Sequence, residues 1–403
     1  MTDTRLGEWR AHWRIVAGTL FGMSFALPAW NYVQSQFVQP LQAAFHWSRA
    51  EIAFAFGVNF FLSFMAPVFG RLIDRVGVRP VLLPCLLIVA AAYVGLANTS
   101  GDYWIFVGFC LLLHSAGLAT TGVAFTRSVI SWFRLSRGAA LAVSRIGLSL
   151  VGAFTPALLF QVIHRLDWRA GFYTMGALCL FIAFPASLAW IKDPPKSAKP
   201  AKGSLLEEFR HWGGLLRDWR VLAVCVAAAG TYGPSVGVLT HLQPLLTSKA
   251  INPATAASLA SILAISVVAG TLITGLLVDR VWAPLIGSLF TLLPVAGLAL
   301  LLTAKPGVVG ASVAIAMVGL AQGAEIDVVA YVVARYFGVT AYSAIYSLTV
   351  FAIAMTASVA GVAFGWVFDR YQSYDLALMG AAAAFALAAA AYLSLGRYPE
   401  REP

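Results

Sequence analysis

The chain has 403 residues, of which 60% are hydrophobic and only 11% are charged. Apolar runs of about 20 residues recur along its whole length. This composition excludes a soluble globular protein and is typical of an α-helical protein that crosses a membrane many times. The formal net charge is +10, but most Lys and Arg residues fall in short loops between apolar runs. They therefore indicate membrane topology rather than a nucleic-acid surface.

Breaks between the apolar runs predict twelve spanning helices, because a backbone in lipid must satisfy its own hydrogen bonds. The polar, basic amino terminus leads into a first span without a cleavage site, so we expect this helix to be retained. The four Cys residues lie inside apolar runs and are expected to be unpaired core residues. The predicted spans are residues 14–36, 50–72, 78–98, 103–131, 138–163, 171–191, 220–246, 254–277, 283–303, 307–335, 342–367 and 375–395.

A polar segment, residues 192–218, separates the sixth predicted span from the seventh. Its Pro-rich and Lys-rich first half is typical of a linker, and its second half could form a short amphipathic helix on the membrane surface. Nineteen of the 27 Lys and Arg residues fall on the side of the amino terminus, and six fall on the other side. By the positive-inside rule, both termini and this linker are expected to be cytoplasmic.

Short sequence matches relate the two halves of the chain to each other. The matching pairs are residues 70–75 with 275–280, 132–133 with 336–337, and 175–177 with 379–381, all at an offset of 204 or 205. Two parallel six-helix repeats around a midplane site are the arrangement of two transporter halves. We therefore predict an amino-terminal six-helix bundle over residues 1–191, a cytoplasmic linker over 192–218 and a carboxy-terminal six-helix bundle over 219–403.

The segment Gly70–Pro80, GRLIDRVGVRP, resembles the signature loop between the second and third helices of the major facilitator superfamily, and residues 275–280 resemble a weaker copy. The resemblance covers essentially the whole chain. It implies an all-α membrane protein with twelve transmembrane helices in two six-helix pseudo-symmetric bundles. It also implies a conformational latch at the cytoplasmic helix ends, formed by Asp74, Arg75, Asp279 and Arg280.

Further segments resemble the branch of this superfamily that contains monocarboxylate porters and oxalate/formate exchangers. They are WSRAEI at 47–52, WF at 132–133 followed by RGAALA at 137–142, and DWRA at 167–170. Two features depart from that branch. Ala29 stands where the branch tends to have a Lys, and the span 254–277 lacks its Asp/Arg pair. A carboxylate would therefore have to be bound by other charges.

Four charged residues lie inside predicted spans at similar depth, namely Arg127, Arg145, Glu325 and Asp327. A carboxylate at such depth costs roughly 2.5–3.5 kcal/mol on insertion scales, so it is usually paired, protonated or facing water. Because positions 325 and 327 point about 200° apart on a helix, we expect only one of them to face a central cavity.

Three interpretations of these charges remain open. In the first, Arg145 or Arg127 binds the carboxylate of a substrate bidentately. In the second, the Arg residues pair with Glu325 or Asp327 as an inner gate, and a carboxyl whose protonation responds to burial carries a proton. In the third, permanent ion pairs only hold helices together.

Other polar side chains lie on spans that line the cavity in the implied fold. Each is a candidate substrate contact, and each could equally be a contact between helices. A lone buried His is more often structural than a proton relay. The candidates are Tyr32, Asn31, His114, His241 and Gln243.

These observations predict a secondary transporter of the bacterial inner membrane, a proton symporter that imports a small organic anion of the monocarboxylate type by alternating access. An exporter of drug-like or cationic compounds and an anion exchanger are the alternatives. The sequence has no nucleotide-binding motif, convergent catalytic set or metal cluster, so no enzyme and no cofactor are predicted. The expected partners are the lipid bilayer, protons and a small-molecule substrate, without nucleic acid, and the chain is expected to be a monomer.

Overall fold

The computed structural model describes residues 4–58, 72–73, 76–133, 135–193, 214–278, 280–303 and 305–398, and every regular element within these ranges is helical. The predicted all-α architecture is thereby confirmed. The helices are α1 Arg5–Ser24, α2 Leu27–Val33, α3 Ser35–Phe45, α4 Arg49–Phe56, α5 Arg79–Ala97, α6 Tyr103–Ala119, α7 Gly122–Trp132, α8 Arg137–Arg165, α9 Trp168–Leu178, α10 Phe184–Trp190, α11 Trp219–Thr240, α12 Leu242–Ser248, α13 Pro253–Leu277, α14 Ala283–Leu301, α15 Gly307–Tyr371 and α16 Asp375–Ser394, with a π-helical turn Cys179–Ala183 between α9 and α10.

Ten segments of the described chain are long and apolar enough to cross a membrane. They fall within or close to ten of the twelve predicted spans. The second predicted span, 50–72, lies largely outside the described residues. The ten segments are Arg79–Ala97, Tyr103–Val129, Ile146–Arg165, Trp168–Trp190, Trp219–Thr240, Pro253–Leu277, Ala283–Leu301, Gly307–Phe337, Leu348–Tyr371 and Asp375–Ser394.

The first predicted span, residues 14–36, is not one continuous helix, because this part of the chain forms the end of α1, all of α2 and the start of α3. Between α1 and α2, Ala26 is extended, with φ −98° and ψ −154°. Pro28 follows in the first turn of α2. A proline ring has no N–H and clashes with the carbonyl group four residues earlier, so it interrupts a helix here. The break places Asn31 and Tyr32 on the short helix α2.

The tenth and eleventh predicted spans correspond to two separate membrane-length segments, Gly307–Phe337 and Leu348–Tyr371, which are the two parts of α15. The two spanning segments of α15 run in opposite directions, so they are two antiparallel helices rather than one straight helix. In the first segment, residues 319 and 323 meet residues 263 and 267 of α13, so the two run parallel. In the second segment, residues 349 and 356 meet residues 225 and 229 of α11, which is again a parallel arrangement. Because α11 and α13 are successive spanning helices, they cross the membrane in opposite directions, and so do the two segments of α15.

The chain divides into two compact units, and unit 1 comprises Met1–Phe45 and Phe61–Lys202. Its core contains stacked aromatic rings. The ring centroids of Phe37 and Phe172 lie 4.1 Å apart, and those of Trp30 and Phe172 lie 5.9 Å apart. All three side chains are almost fully buried. Offset aromatic pairs add to the stabilisation from burial, and this cluster fixes α2 and α3 against α9.

Unit 2 comprises His46–Phe60 and Gly203–Pro403, so α4 belongs to it. Within this unit the backbones of α13 and α15 touch. A Cβ atom added at Gly323 would lie 1.9 Å from the carbonyl oxygen of Val267, and one at Gly270 would lie 2.2 Å from that of Leu320. Only glycine permits such an approach. The contact fixes how far α15 can slide along α13.

Candidate functional site

Glu325 lies in the first spanning segment of α15, two residues after the contact between α13 and α15. The hydroxyl group of Thr271 on α13 donates a 2.8 Å hydrogen bond to the carbonyl oxygen of Gly323. Together with the close approach at Gly323, this bond sets both the depth and the rotation of the helix. The position of Glu325 is therefore determined by backbone packing rather than by contacts of its own side chain.

The side chain of Glu325 is buried without a hydrogen-bond partner. It is only 2% exposed, and neither carboxyl oxygen is hydrogen-bonded to any residue that the structure describes. Tyr392 of α16 is close enough to interact with it electrostatically, yet the Tyr392 hydroxyl group is also buried and unbonded. Burying an ionised carboxylate without a partner is costly. No described neighbour of Glu325 therefore compensates the charge that its carboxyl group carries when it is ionised.

Asp327 differs from Glu325 in its burial. Asp327 is half-buried, whereas Glu325 is buried. This difference follows from the helical geometry, which points the two side chains about 200° apart. Of the two acidic residues, Glu325 is the one that packs into the interior of unit 2.

The two arginine residues predicted inside spans both belong to unit 1. Arg127 lies on α7 and is half-buried, and the hydroxyl group of Ser131 donates to its backbone carbonyl oxygen at 2.8 Å. Arg145 lies on α8, and its side chain is outside what the structure describes. A pairing of Arg145 with an acidic residue therefore stays a prediction.

The candidate polar residues of unit 1 differ in how exposed their side chains are. On α2, Asn31 is exposed, while Tyr32 is half-buried. The ring of Tyr32 lies against α8, where a Cβ atom added at Gly152 would be 2.9 Å from it. His114 of α6 is 4% exposed, and its Nδ1 atom lies 2.8 Å from the carbonyl oxygen of Cys110, one turn earlier.

In unit 2, His241 is fully buried between α11 and α12, and both of its ring nitrogen atoms are engaged. Nε2 lies 2.9 Å from the carbonyl oxygen of Gly361, and Nδ1 lies 3.2 Å from the hydroxyl oxygen of Tyr374. Since a carbonyl oxygen can only accept, the Nε2 atom carries the proton and Nδ1 accepts from Tyr374. Gln243, on α12, is also buried.

The hydroxyl group of Tyr374 connects His241 to Arg49, which is 8% exposed. Nη1 of Arg49 donates a 2.6 Å hydrogen bond to this hydroxyl group, and the guanidinium carbon lies 3.5 Å from the ring centroid of Phe368. Burial raises the pKa of the Tyr374 phenol to about 12, although the nearby Arg49 acts in the opposite direction. The phenol therefore stays protonated at neutral pH and donates to His241. We call Arg49, Phe368, Tyr374 and His241 the arginine cluster.

The first turn of α4, which begins at Arg49, is capped from two directions. The carboxylate group of Asp369 accepts the backbone N–H of Arg49 at 3.1 Å and that of Ala50 at 2.9 Å. Ser48 and Glu51 form a capping box, with each side chain bonded to the backbone of the other. A carboxylate at a helix N-terminus also interacts favourably with the helix dipole. These bonds anchor α4 to α15.

The sequence interpretation did not identify the arginine cluster. It counted Arg49 among the topology signals outside the spans. One local signal was available, because Ser48 and Glu51 have the spacing of a capping box. No pattern in the sequence places Asp369 or Tyr374 beside Arg49, since they are more than 300 residues apart in the chain.

Three of the four residues predicted to form the conformational latch, Asp74, Arg75 and Asp279, lie outside the described residues. The fourth, Arg280, is exposed in the turn after α13. The described end of the signature segment is anchored to Asp193, which accepts the backbone N–H of Val78 and, at 3.1 Å, that of Arg79. This carboxylate fixes the start of α5 within unit 1.

Within the described parts of the chain, no three His, Cys, Asp or Glu side chains come together as metal ligands would. All four cysteine residues are buried and free, in agreement with the sequence prediction. The chemistry that the described site residues offer is hydrogen bonding, ion pairing and proton uptake.

Comparisons with known proteins relate the chain to membrane transporters. Residues 15–350 match the family model of the Major Facilitator Superfamily. The MFS-type transporter YhjX of Escherichia coli (strain K12) is 25% identical over 344 residues, which cover 82% of this chain and 81% of the relative. Monocarboxylate transporter 13 of Bos taurus is 26% identical over 310 residues, which cover 72% of this chain and 68% of the relative.

Two solved structures share the fold. The nucleoside transporter NupG superposes with a TM-score of 0.77 at 14% identity, over 95% of this chain and 100% of the other. A bacterial homolog to the human lysosomal transporter Spinster, in an inward-facing and unoccupied conformation, has a TM-score of 0.73 at 15% identity, over 97% of this chain and 99% of the other. Both agree with the predicted fold of two transmembrane helix bundles.

Proposed function

Because the chain belongs to the Major Facilitator Superfamily, we propose that it is a secondary active transporter that takes up a small organic anion of the monocarboxylate type together with protons. In this proposal it works by alternating access in a bacterial inner membrane, with both termini in the cytoplasm. Residues 1–191 and 219–403 act as the two rocking bundles, and residues 192–218 link them. The latch residues Asp74, Arg75, Asp279 and Arg280 control the change of access.

The anionic substrate is supported by two observations. Monocarboxylate transporter 13 of Bos taurus is similar to this chain over 72% of its length. Arg127 and Arg145 lie inside predicted spans, and a guanidinium group binds a carboxylate with two parallel hydrogen bonds. In this proposal one of the two arginine residues binds the substrate carboxylate, and Tyr32, Asn31, His114, His241 and Gln243 lie around its path.

The single observation that carries the proton coupling is the burial of Glu325 without a hydrogen-bond partner in a membrane-spanning segment. A carboxyl group in this setting is sensitive to its surroundings. It ionises readily where water or a cation reaches it, and it resists ionisation where it is buried. A conformational change that alternates these two conditions would load and release a proton at Glu325.

Transport by the purified protein in lipid vesicles tests this proposal. The vesicles receive an inward proton gradient of one pH unit and a panel of radiolabelled small monocarboxylates. For coupling of one proton to one anion, such a gradient sustains about a tenfold accumulation, since tenfold corresponds to about 1.4 kcal/mol. We expect this accumulation for at least one carboxylate, and its loss when a protonophore is added.

The variants Arg145→Gln and Arg127→Gln locate the anion site, with Arg165→Gln at the end of α8 as a matched control. One of the two spanning variants should lose uptake at every tested concentration, while the control transports normally. Proton-driven expulsion of lipophilic cations, without carboxylate uptake, would contradict the proposal and favour an exporter.

A further inference from the structure

A cavity of about 610 Å³ lies at one end of unit 2, where α13 ends and α14 begins. The first segment of α15 and the residues that follow α16 complete its wall. On the topology that the sequence predicts, this end faces the cytoplasm. The lining residues are Val278, Arg280, Val281, Trp282, Tyr331, Arg335, Gly396, Arg397 and Tyr398.

The lining combines positive charge with aromatic rings. Arg280, Arg335 and Arg397 come from three separate parts of the chain, and the described lining contains no acidic residue. The guanidinium carbon of Arg335 lies 4.8 Å from the ring centroid of Tyr398, so this side chain rests on an aromatic surface. An anion placed between these guanidinium groups would be attracted by each of them.

Hydrogen bonds hold the wall of this cavity in place. The backbone N–H of Ala283 donates to the hydroxyl oxygen of Tyr398 at 2.9 Å, and the hydroxyl group of Tyr336 donates to the carbonyl oxygen of Gly396. The indole N–H of Trp282 donates to the same Tyr336 oxygen at 3.3 Å. Since residues 396 and 398 are both anchored, Arg397 between them has a defined backbone position. The cavity is therefore preorganised.

We propose that this cavity binds an anion that carries a phosphate group. Guanidinium groups donate paired hydrogen bonds to phosphate oxygens, and three of them match a doubly charged group better than a single carboxylate. The aromatic wall accommodates an apolar or planar part of the same ligand. The phosphate group can belong to an anionic lipid headgroup or to a soluble phosphate compound.

This site lies apart from Glu325, although it shares Arg280 with the predicted latch. Arg335 follows Glu325 by ten residues, or about 15 Å along the helix. Binding of a phosphate here joins the chain after α16 to α15 and to the turn between α13 and α14. A positive-inside topology requires basic residues only on the correct side of the membrane. It does not require that three of them line one cavity with anchored aromatic walls.

Ligand binding is tested on the purified full-length protein by thermal unfolding and by equilibrium titration. In the soluble arm, the probes are inorganic phosphate, pyrophosphate and ATP, each against chloride at equal ionic strength. In the lipid arm, nanodiscs of phosphatidylcholine are compared with nanodiscs that contain phosphatidylglycerol. A ligand that binds the folded state raises the apparent melting temperature. We expect stabilisation in at least one arm, and the arm identifies the source of the phosphate.

Three variants distinguish a built site from general surface charge. The triple variant with Gln at Arg280, Arg335 and Arg397 should bind at least tenfold more weakly than the wild type. A matched triple variant with Gln at the exposed residues Arg5, Arg10 and Arg217 should bind like the wild type. The triple Lys variant at the cavity keeps the charge but loses the paired geometry, so it should bind with intermediate affinity.

The single variant Arg397→Gln tests the site even if the triple variant does not fold. The Arg397 side chain is exposed, so this substitution should not affect folding. It should weaken binding and leave the melting temperature of the ligand-free protein unchanged. Absence of stabilisation in both arms would overturn the proposal. Equal binding by the wild type and the triple Gln variant would also overturn it. Neither result depends on transport, so both are distinguishable from a failure of the proposed function.

Discussion

Arg49 and Glu325 are both buried ionisable residues of unit 2, but their surroundings differ sharply. Arg49 donates a 2.6 Å hydrogen bond to Tyr374 and rests on the ring of Phe368. Glu325 has no hydrogen-bond partner in the described structure. A buried charge with partners stabilises one arrangement of the helices. A buried ionisable group without partners costs stability, and it is retained where the protein needs it for function.

In this conformation the arginine cluster joins α4 to α15 and to the start of α16. Because α4 lies within residues 1–191 and the other two lie within 219–403, the proposed change of access has to open this cluster. Every group in it has a partner of matching chemistry: a cation with a phenol and an aromatic face, a phenol with an imidazole, and an imidazole with a carbonyl group. The acidic Asp369 caps α4 through the backbone N–H groups of Arg49 and Ala50. We interpret this region as the compensated counterpart of Glu325, whose carboxyl group has no hydrogen-bond partner in the described structure.

The largest stability loss is expected for Arg49→Ala. The variant removes a charged hydrogen bond and a cation–π contact in a buried site, worth about 3 kcal/mol together. The apparent free energy of unfolding in mild detergent should fall by that amount. Arg169→Ala serves as the control, because Arg169 also lies over an aromatic ring, at 4.3 Å from Trp168, but is not buried. Equal small losses in both variants would mean that the arginine cluster does not stabilise unit 2.

A smaller loss is expected for Tyr374→Phe. This variant keeps the ring and removes only the hydroxyl group that connects Arg49 to His241. Two buried groups then lose a partner, which should cost about 1–2 kcal/mol. Combining it with Arg49→Ala should cost less than the sum of the two single losses, because both variants break the same bond. Strict additivity in this double-mutant cycle would show that the two residues do not interact.

An apolar substitution at Glu325 should raise the free energy of unfolding, in contrast to the substitutions in the arginine cluster. Glu325→Leu replaces an unbonded carboxyl group with an apolar side chain of similar size, which should raise the free energy of unfolding by about 1 kcal/mol. Tyr392→Phe, which removes the neighbouring unbonded hydroxyl group, should be nearly neutral in the same detergent assay. A clear stability loss in Glu325→Leu would indicate a partner for this carboxyl group and would remove the contrast with Arg49.

Sequence hydropathy predicted the helices well where the length of an apolar run alone determines the structure. Residues 78–98 were predicted as a span and α5 covers Arg79–Ala97, because an apolar run of this length has no alternative to a helix in lipid. The interruption of the first span next to Pro28 was not predicted, because hydropathy does not register a missing N–H group. The tenth and eleventh spans were predicted as separate segments, and the two membrane-length segments of α15 agree with that prediction.

The candidate site was predictable only in part. The apolar run around Glu325 and Asp327 indicated two unusual carboxyl groups, and helical geometry indicated that they face different directions. Which of them is buried depends on the packing of α13 against α15 at Gly323, a contact between residues far apart in the chain. The same reason explains why the sequence left His241 open between a substrate contact and a contact between helices, while in the structure its ring nitrogen atoms lie within hydrogen-bonding distance of Gly361 and Tyr374.

The most direct test of the central claim compares Glu325→Gln with the wild type in lipid vesicles, using a substrate identified in the uptake assay. Gln keeps the size of the side chain but cannot release a proton. We predict that the variant still exchanges labelled for unlabelled substrate and no longer accumulates it under an inward proton gradient. The variant Asp327→Asn should retain accumulation. Accumulation by Glu325→Gln at the wild-type level would contradict the account, because the unbonded carboxyl group would then have no part in coupling.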